Sequence, residues 1–193
     1  MTPLPDSLLE AVASAAVREG LADAVFTRLR TPIGRLLVVQ GERGIVRVGF
    51  EDEPEDHVLA EVAGHLGPRI VGSDRELAFT RDTLDAYFAG EGDPHALPVD
   101  LTLVAAPFRR AVLEALHRDI AAGQVVTYGG LAERAGNARA YRAAATACAR
   151  NPVPIVVPCH RVLPSSGGIG RYGGGPERKR ALLELEGSLP TSR

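Results

Sequence analysis

The 193 residues include only two cysteines, one methionine and no tryptophan, and aromatic residues make up 5%. Two thiols in a chain this long are not the disulfide framework of a small secreted domain, so Cys148 and Cys159 read as free thiols of a reducing compartment. No apolar run approaches the length that spans a bilayer. The start Met1-Thr2-Pro3-Leu4-Pro5-Asp6 puts an acid where a secretion signal carries positive charge. A cytoplasmic protein without a membrane partner is the expectation. There is no Cys-x-x-Cys and no His-x-x-x-His, and His57, His65, His95 and His117 fall in unrelated segments, so neither a metal nor another cofactor is expected. Repeats and low-complexity tracts are absent too.

What is present is ordinary in amount and uneven in placement. At 45% hydrophobic, the chain has enough apolar residues for one core or two small lobes. Net charge is −2, yet residues 1–100 hold 18 Asp or Glu against 9 Arg, whereas residues 125–193 hold 10 Arg or Lys against Glu133, Glu177, Glu184 and Glu186. The C-terminal part is suited to a polyanion, or to the acidic first part of the chain.

Ser7-Leu8-Leu9-Glu10 has capping-box spacing and opens an apolar series through Val12, Ala16 and Val17, predicting an amphipathic helix over 7–20. The segments 24–31, 34–40 and 45–50, separated by Thr-Pro-Ile-Gly and Gly-Glu-Arg-Gly, predict a three-stranded antiparallel meander. A helix over 57–66, a short strand over 69–72 and a helix over 75–89 complete an α+β lobe. Pro94 and Pro98 interrupt the pattern. Beyond them the chain reads as mainly helical, over 107–122, 128–135, 138–150 and 176–186. The expected division is a helical extension over 1–22, an α+β domain over 23–100 and a second domain over 101–193.

Within the second domain, Thr127 to Asn137 reads as a short capped helix stopped at Gly136, with Asn137 capping the next; two helices this close make a helix-turn-helix. The second of them, 138–150, is built from alanine with Arg139, Arg142 and Arg150 within an arc of roughly 80°. Alanine lets a helix axis approach a groove closely, and arginine supplies a phosphate contact or a wedge into a base stack. The same smooth helix also suits a protein core.

Asn151-Pro152-Val153-Pro154-Ile155-Val156-Val157-Pro158 sets a rigid approach before Cys159-His160-Arg161-Val162. The adjacent imidazole and guanidinium favour a thiolate at Cys159, and alternation along the chain favours contact with His160 through a bridging water. Cys148 reads as a buried hydrophobe. A cysteine hydrolase is an alternative, although no oxyanion or peptide-binding context is legible.

Taken together, Pro158-Cys159-His160-Arg161-Val162 after Asn151-Pro152-Val153-Pro154 resembles the signature of the O6-alkylguanine-DNA alkyltransferase family. The resemblance runs from about residue 26 to 187. Thr-Pro-Ile-Gly at 31–34, Tyr87-Phe88-Ala89-Gly90, Thr127-Tyr128-Gly129, Ala135-Gly136-Asn137, Arg142-Ala143, Gly170-Arg171-Tyr172 and 182–187 stand in family order. It implies a ribonuclease-H-like α+β lobe with a small antiparallel sheet and a winged-helix-like lobe with the helix-turn-helix.

The resemblance also implies that Cys159 takes the alkyl group irreversibly from O6-alkylguanine in duplex DNA, with His160 as base through water, Glu186 orienting the imidazole and Asn151 tying the recognition helix to the cysteine turn. Tyr128, Val162, Tyr172, Gly173 and Cys148 would line the substrate pocket. Arg142 would fill the stack behind a flipped nucleotide, with Arg139, Ala143, Thr127, Tyr128 and Arg150 on the DNA in its minor groove. No obligate protein partner is implied. A lesion-binding relative without transfer would replace the nucleophile, and Cys159 is present. Gly173 stands where many members have serine, residues 107–113 lack the glutamine and tryptophan common there, Tyr141 is bulky, and the zinc ligands of some members are absent.

Overall fold

The apolar segments after Ala24 pair as the turn chemistry requires. In the computed structural model, which describes residues 5–189, β1 (Ala24–Thr31), β2 (Gly34–Gly41) and β3 (Gly44–Phe50) form the antiparallel meander. The first turn is closed by Thr31, whose hydroxyl donates to the Gly34 carbonyl at 2.6 Å. After α2 (Glu55–Leu66), β4 (Ile70–Gly72) adds to β1 in parallel, so the sheet is mixed, in the order β3-β2-β1-β4, where a purely antiparallel one was expected. Helix α2 packs on β2 and β3, and Leu37, Val39, Val46, Val58 and Val62 are buried between them. Leu36 and Val38 point to the opposite face and are fully buried as well.

The first helix departs from expectation. It runs as α1 (Asp6–Arg18) from Pro5, with no side-chain cap. Glu10, instead of closing a capping box, accepts hydrogen bonds from the Ser73 hydroxyl and, at 2.9 Å, from the Asp74 N–H. Leu8, Leu9 and Val12 are 47–59% exposed, and Ala13 is the buried residue. The apolar period was legible, but the helix docks through its small and polar positions because those reach residues 73–76.

The chain divides into two compact units. The first comprises residues up to Asp85 together with Leu97–Leu103, and the second Ala86–Ala96 with Val104 onward. The expected division had one boundary after residue 100 and set residues 1–22 apart, whereas Ala86–Ala96 group with the second unit, Leu97–Leu103 with the first, and α1 with the first.

After α3 (Ala78–Phe88), the second unit packs α4 (Pro107–Asp119), α5 (Tyr128–Arg134) and α6 (Tyr141–Ala149) against one another through Val112, Leu116, Leu131, Ala144 and Ala147. Thr127 caps α5 by accepting from the Gly130 N–H at 3.1 Å, and Gly136, at φ 87°, ends it. The expectation for the next helix needs correction: Asn137 caps only a turn, its side chain accepting from the Arg139 N–H at 3.2 Å, and α6 begins at Tyr141 with no side-chain cap. A parallel pair, β5 (Val126–Thr127) and β6 (Val162–Leu163), was not expected; two-residue strands carry no readable alternation. Helix α7 (Pro176–Leu185) starts with Pro176 after Gly175. No described helix is long and apolar enough to cross a membrane.

Gly44 sits at φ 139°, and a Cβ there would lie 2.5 Å from the Pro98 carbonyl oxygen, whose partner is the Ile45 N–H. Gly44→Ala is expected to destabilise the protein by about 1–3 kcal/mol from backbone conformation alone, before the clash is counted. Gly64→Ala, inside α2 with nothing within 4 Å, is expected to stabilise by roughly 0.5–1 kcal/mol. Urea unfolding of both variants checks the opposite signs.

Candidate active site

Asn151 organises the approach to the cysteine. Its side-chain oxygen Oδ1 accepts from the Val153 N–H at 3.0 Å, while its side-chain amide donates to the Val157 carbonyl at 2.8 Å and to Cys159 Sγ at 3.1 Å. Between these anchors Ile155 is held at φ 76°, a conformation that costs a β-branched residue on the order of 1–3 kcal/mol. The fold-back is closed by the Val157 N–H on the Val153 carbonyl at 2.9 Å. Cys159–Arg161 then form one 3-10 turn, not an extended strand, and all three side chains are buried.

Behind the cysteine lies Glu186, just past α7, with 1% of its side chain exposed. Its Oε1 accepts from the Tyr87 hydroxyl at 2.6 Å, from His160 Nε2 at 2.8 Å and from Arg161 Nη2 at 2.9 Å; its Oε2 accepts from Arg161 Nε at 3.0 Å. Arg161 also donates to the Ile120 carbonyl at 2.6 Å and to Asp93 at 3.2 Å. Burial alone would raise the Glu186 carboxyl, but the hydrogen bonds from His160 and Arg161 outweigh it and hold it at about 2.

Burial lowers the His160 imidazole, and the Glu186 hydrogen bond offsets this only in part. His160 is therefore neutral near pH 7. With Nε2–H committed to a carboxylate, the tautomer leaves Nδ1 as the basic nitrogen, and Nδ1 is buried without a protein hydrogen bond. Burial also raises the Tyr87 hydroxyl, so it stays a donor.

Burial pushes the Cys159 thiol up to about 11, opposed by the Asn151 amide and by the ammonium of Lys179. This corrects the expectation that the neighbouring residues alone favour thiolate. Arg161 spends its charge on Glu186 and Asp93, and the cation that acts on the sulfur comes from α7. Lys179 is fully buried, donating to the Val162 carbonyl at 2.7 Å and the Arg171 carbonyl at 3.5 Å. Burial raises Cys148 further still.

Tyr128, Cys148, Cys159, Tyr172 and Gly173 meet around one pocket of about 550 Å3, with α6 on one side and the glycine loop on the other. Val162 is not part of that lining; it is buried in β6, and its carbonyl holds Lys179. In the loop, Gly167, Gly168, Gly170 and Gly175 adopt positive φ, whereas Gly173 does not and has nothing within 4 Å of an added Cβ. Glycine at 173 is thus no steric requirement. Thr127 lies at the α5 cap, and Ala143 is half-buried on α6. Arg139, Arg142 and Arg150 are exposed, but only Arg142 lies within the helix, so the expected shared arc does not exist.

Four contributors escaped sequence reasoning. Tyr87 stood in a noted tetrapeptide without a role, Asp93 had no local signal, Arg161 was credited to the thiol, and Lys179 lies in Glu-Arg-Lys-Arg, which reads as a solvated charge run. His95 and His117, expected to be unrelated, stack with centroids 4.7 Å apart. Among the described residues, no three His, Cys, Asp or Glu side chains group as metal ligands do.

Comparison with known proteins matches residues 24–101 to the ribonuclease-like domain and residues 107–188 to the DNA binding domain of 6-O-methylguanine DNA methyltransferase. The methylated-DNA–protein-cysteine methyltransferase of Haemophilus influenzae is 36% identical over 166 residues, 83% of this chain and 85% of that protein. The Rattus norvegicus protein of the same name is 36% identical over 180 residues, 87% of this chain and 84% of its own length. The crystal structure of Mycobacterium tuberculosis O6-methylguanine methyltransferase superposes with a TM-score of 0.72 at 32% identity, covering 88% of this chain and 96% of that one. Mycobacterium tuberculosis OGT in complex with DNA gives 0.70 at 34% identity, covering 85% and 93%.

Held at about 2 against 4.5 for an ordinary glutamate, the Glu186 carboxyl binds fewer protons in the folded chain than in the unfolded one between those values. Its contribution to stability is complete above about pH 4.5 and is lost as pH falls through about 2. Glu186→Gln is expected to cost roughly 3 kcal/mol or more near neutral pH, because buried Arg161 loses its anion. It should also flatten the acid limb of stability against pH, read by urea unfolding; an acid limb as steep as that of the native protein contradicts this assignment.

Proposed function

Because the chain belongs to the 6-O-methylguanine DNA methyltransferase family, we propose that Cys159 accepts the alkyl group of an O6-alkylguanine extruded from duplex DNA, once per molecule. The observation that carries this reading is a buried thiol on the wall of a pocket, backed by a neutral imidazole whose other nitrogen is locked on a buried carboxylate.

A thiol raised by burial needs a base at the moment of reaction. His160 Nδ1 takes the Cys159 proton through a bridging water, and Glu186 with Tyr87 accommodates the imidazolium that forms. The Asn151 amide and Lys179 ammonium stabilise the sulfur anion. Sγ then bonds to the alkyl carbon as the carbon–O6 bond breaks and its electron pair passes to guanine. Tyr172 and Gly173 line the pocket, and their backbone N–H groups serve the charge that develops on O6. Burial keeps the Tyr128 hydroxyl protonated, so it serves as a donor to the base. The product is a thioether, which water does not cleave, and the protein is consumed.

On the DNA side, α6 offers small residues to the minor groove and Arg142 to the stack, where an inserted guanidinium replaces part of the stacking lost on flipping. Arg139 and Arg150, lying just outside the helix, suit phosphate contacts.

Incubation with a duplex containing O6-methylguanine is expected to add one methyl to the peptide carrying Cys159, with one lesion removed per protein. An unmodified peptide beside intact lesion DNA sinks the transfer, and several lesions repaired per molecule sink the stoichiometric mechanism. Arg142→Ala is expected to lower the ratio of duplex repair to reaction with free O6-benzylguanine by at least about tenfold, since flipping costs a few kcal/mol only in the stack. An unchanged ratio refutes the wedge.

A further inference from the structure

Tyr141 is a large aromatic residue left half exposed on the second unit. It opens α6, its side chain is 48% exposed, and the Arg142 guanidinium lies over its ring, 5.3 Å from the centroid. A planar cation covers one face of a ring; exposure leaves surface on the other. The surrounding helix is alanine-rich, and no acidic residue occurs between Glu133 and Glu177. An aromatic ring in such a cationic, small-residue setting is suited to a base of a polyanion.

Beside the cysteine pocket lies a second one, of about 430 Å3, lined by Tyr141, Ala138, Thr127, Ser165 and Ser166. It shares Tyr128 and Pro164 with the first, so both pockets lie against the same two side chains. A nucleotide turned out past Tyr128 into the cysteine pocket remains bonded to its neighbours, and the strand rises only about 3.4 Å per nucleotide. The neighbouring nucleotide therefore arrives beside the same wall.

We propose that this second pocket receives the nucleotide adjacent to the extruded one on the same strand, its base stacked on Tyr141. The proposal rests on the base-extrusion reading above. Stacking of this kind is sequence-tolerant, because every base has a π-face, so it adds affinity at any lesion context. Ser165 and Ser166 supply hydroxyls for the sugar and phosphate of that nucleotide.

The test is single-turnover repair of three duplexes. One carries O6-methylguanine in normal sequence; in the other two, the nucleotide on the 5′ or the 3′ side of the lesion is a tetrahydrofuran abasic residue. On the first duplex, Tyr141→Ala is expected to lower the ratio of duplex repair to free O6-benzylguanine reaction about tenfold, and Tyr141→Phe to keep it within about twofold. One of the abasic duplexes should bring the native protein down to the rate of Tyr141→Ala without slowing that variant further. A Tyr141→Ala defect that persists on both abasic duplexes assigns the ring to holding Arg142 and overturns the pocket. Arg142→Ala, measured alongside, separates the readings. A loss there with none in Tyr141→Ala overturns the stacking alone, and no loss in either overturns the wedge as well.

Discussion

A buried glutamate is tolerated only if its charge is matched, and the Glu186 network joins three stretches of chain. Tyr87 comes from the end of α3, His160 and Arg161 from the cysteine turn, and Glu186 itself from the end of α7. Arg161 extends the match to Asp93 and the Ile120 carbonyl. The cysteine turn therefore has its position set by electrostatics as much as by apolar packing. The same carboxylate fixes the imidazole tautomer, so one constraint determines both where the turn sits and which nitrogen is basic.

That constraint creates a tension at the sulfur. Burial that strengthens the Glu186 network also disfavours the Cys159 anion. The fold answers with two groups that cost little chain. Asn151 bonds the sulfur with an amide whose other contacts hold a strained segment, and Lys179 brings an ammonium into the interior on carbonyl acceptors. The β5–β6 pair links this interior to the helix-turn-helix, since Thr127, which caps α5, is paired with Leu163 in the strand that follows the cysteine turn.

Much of this was legible in the sequence. The turn signals around residues 31–34 and 41–44 predicted the meander, and the Pro-rich run before Cys159 predicted a rigid approach. The family resemblance, with Tyr128, Arg142, Asn151 and Glu186 in order around Cys159, pointed to one site. The failures share a cause. Asn137 was read as a helix cap because capping residues advertise themselves locally, yet Ala138–Ala140 turn before α6 begins, which removed Arg139 from that helix. Leu8, Leu9 and Val12 have core periodicity and lie exposed, because Glu10 and Ser14 find partners near Ser73 and Glu76.

By itself, the sequence determined what depends on covalent neighbours: most strands and helices, the stiffness before Cys159, the glycine loop and the cysteine-histidine pair as the candidate site. Only the tertiary structure decided the charge environment. Arg161, adjacent to the cysteine-histidine pair, belongs to Glu186 and Asp93, whereas Lys179, distant in sequence and hidden in a charged run, acts on the sulfur. Coulombic and desolvation energies depend on distance in space and on burial, and neither can be read from order along the chain.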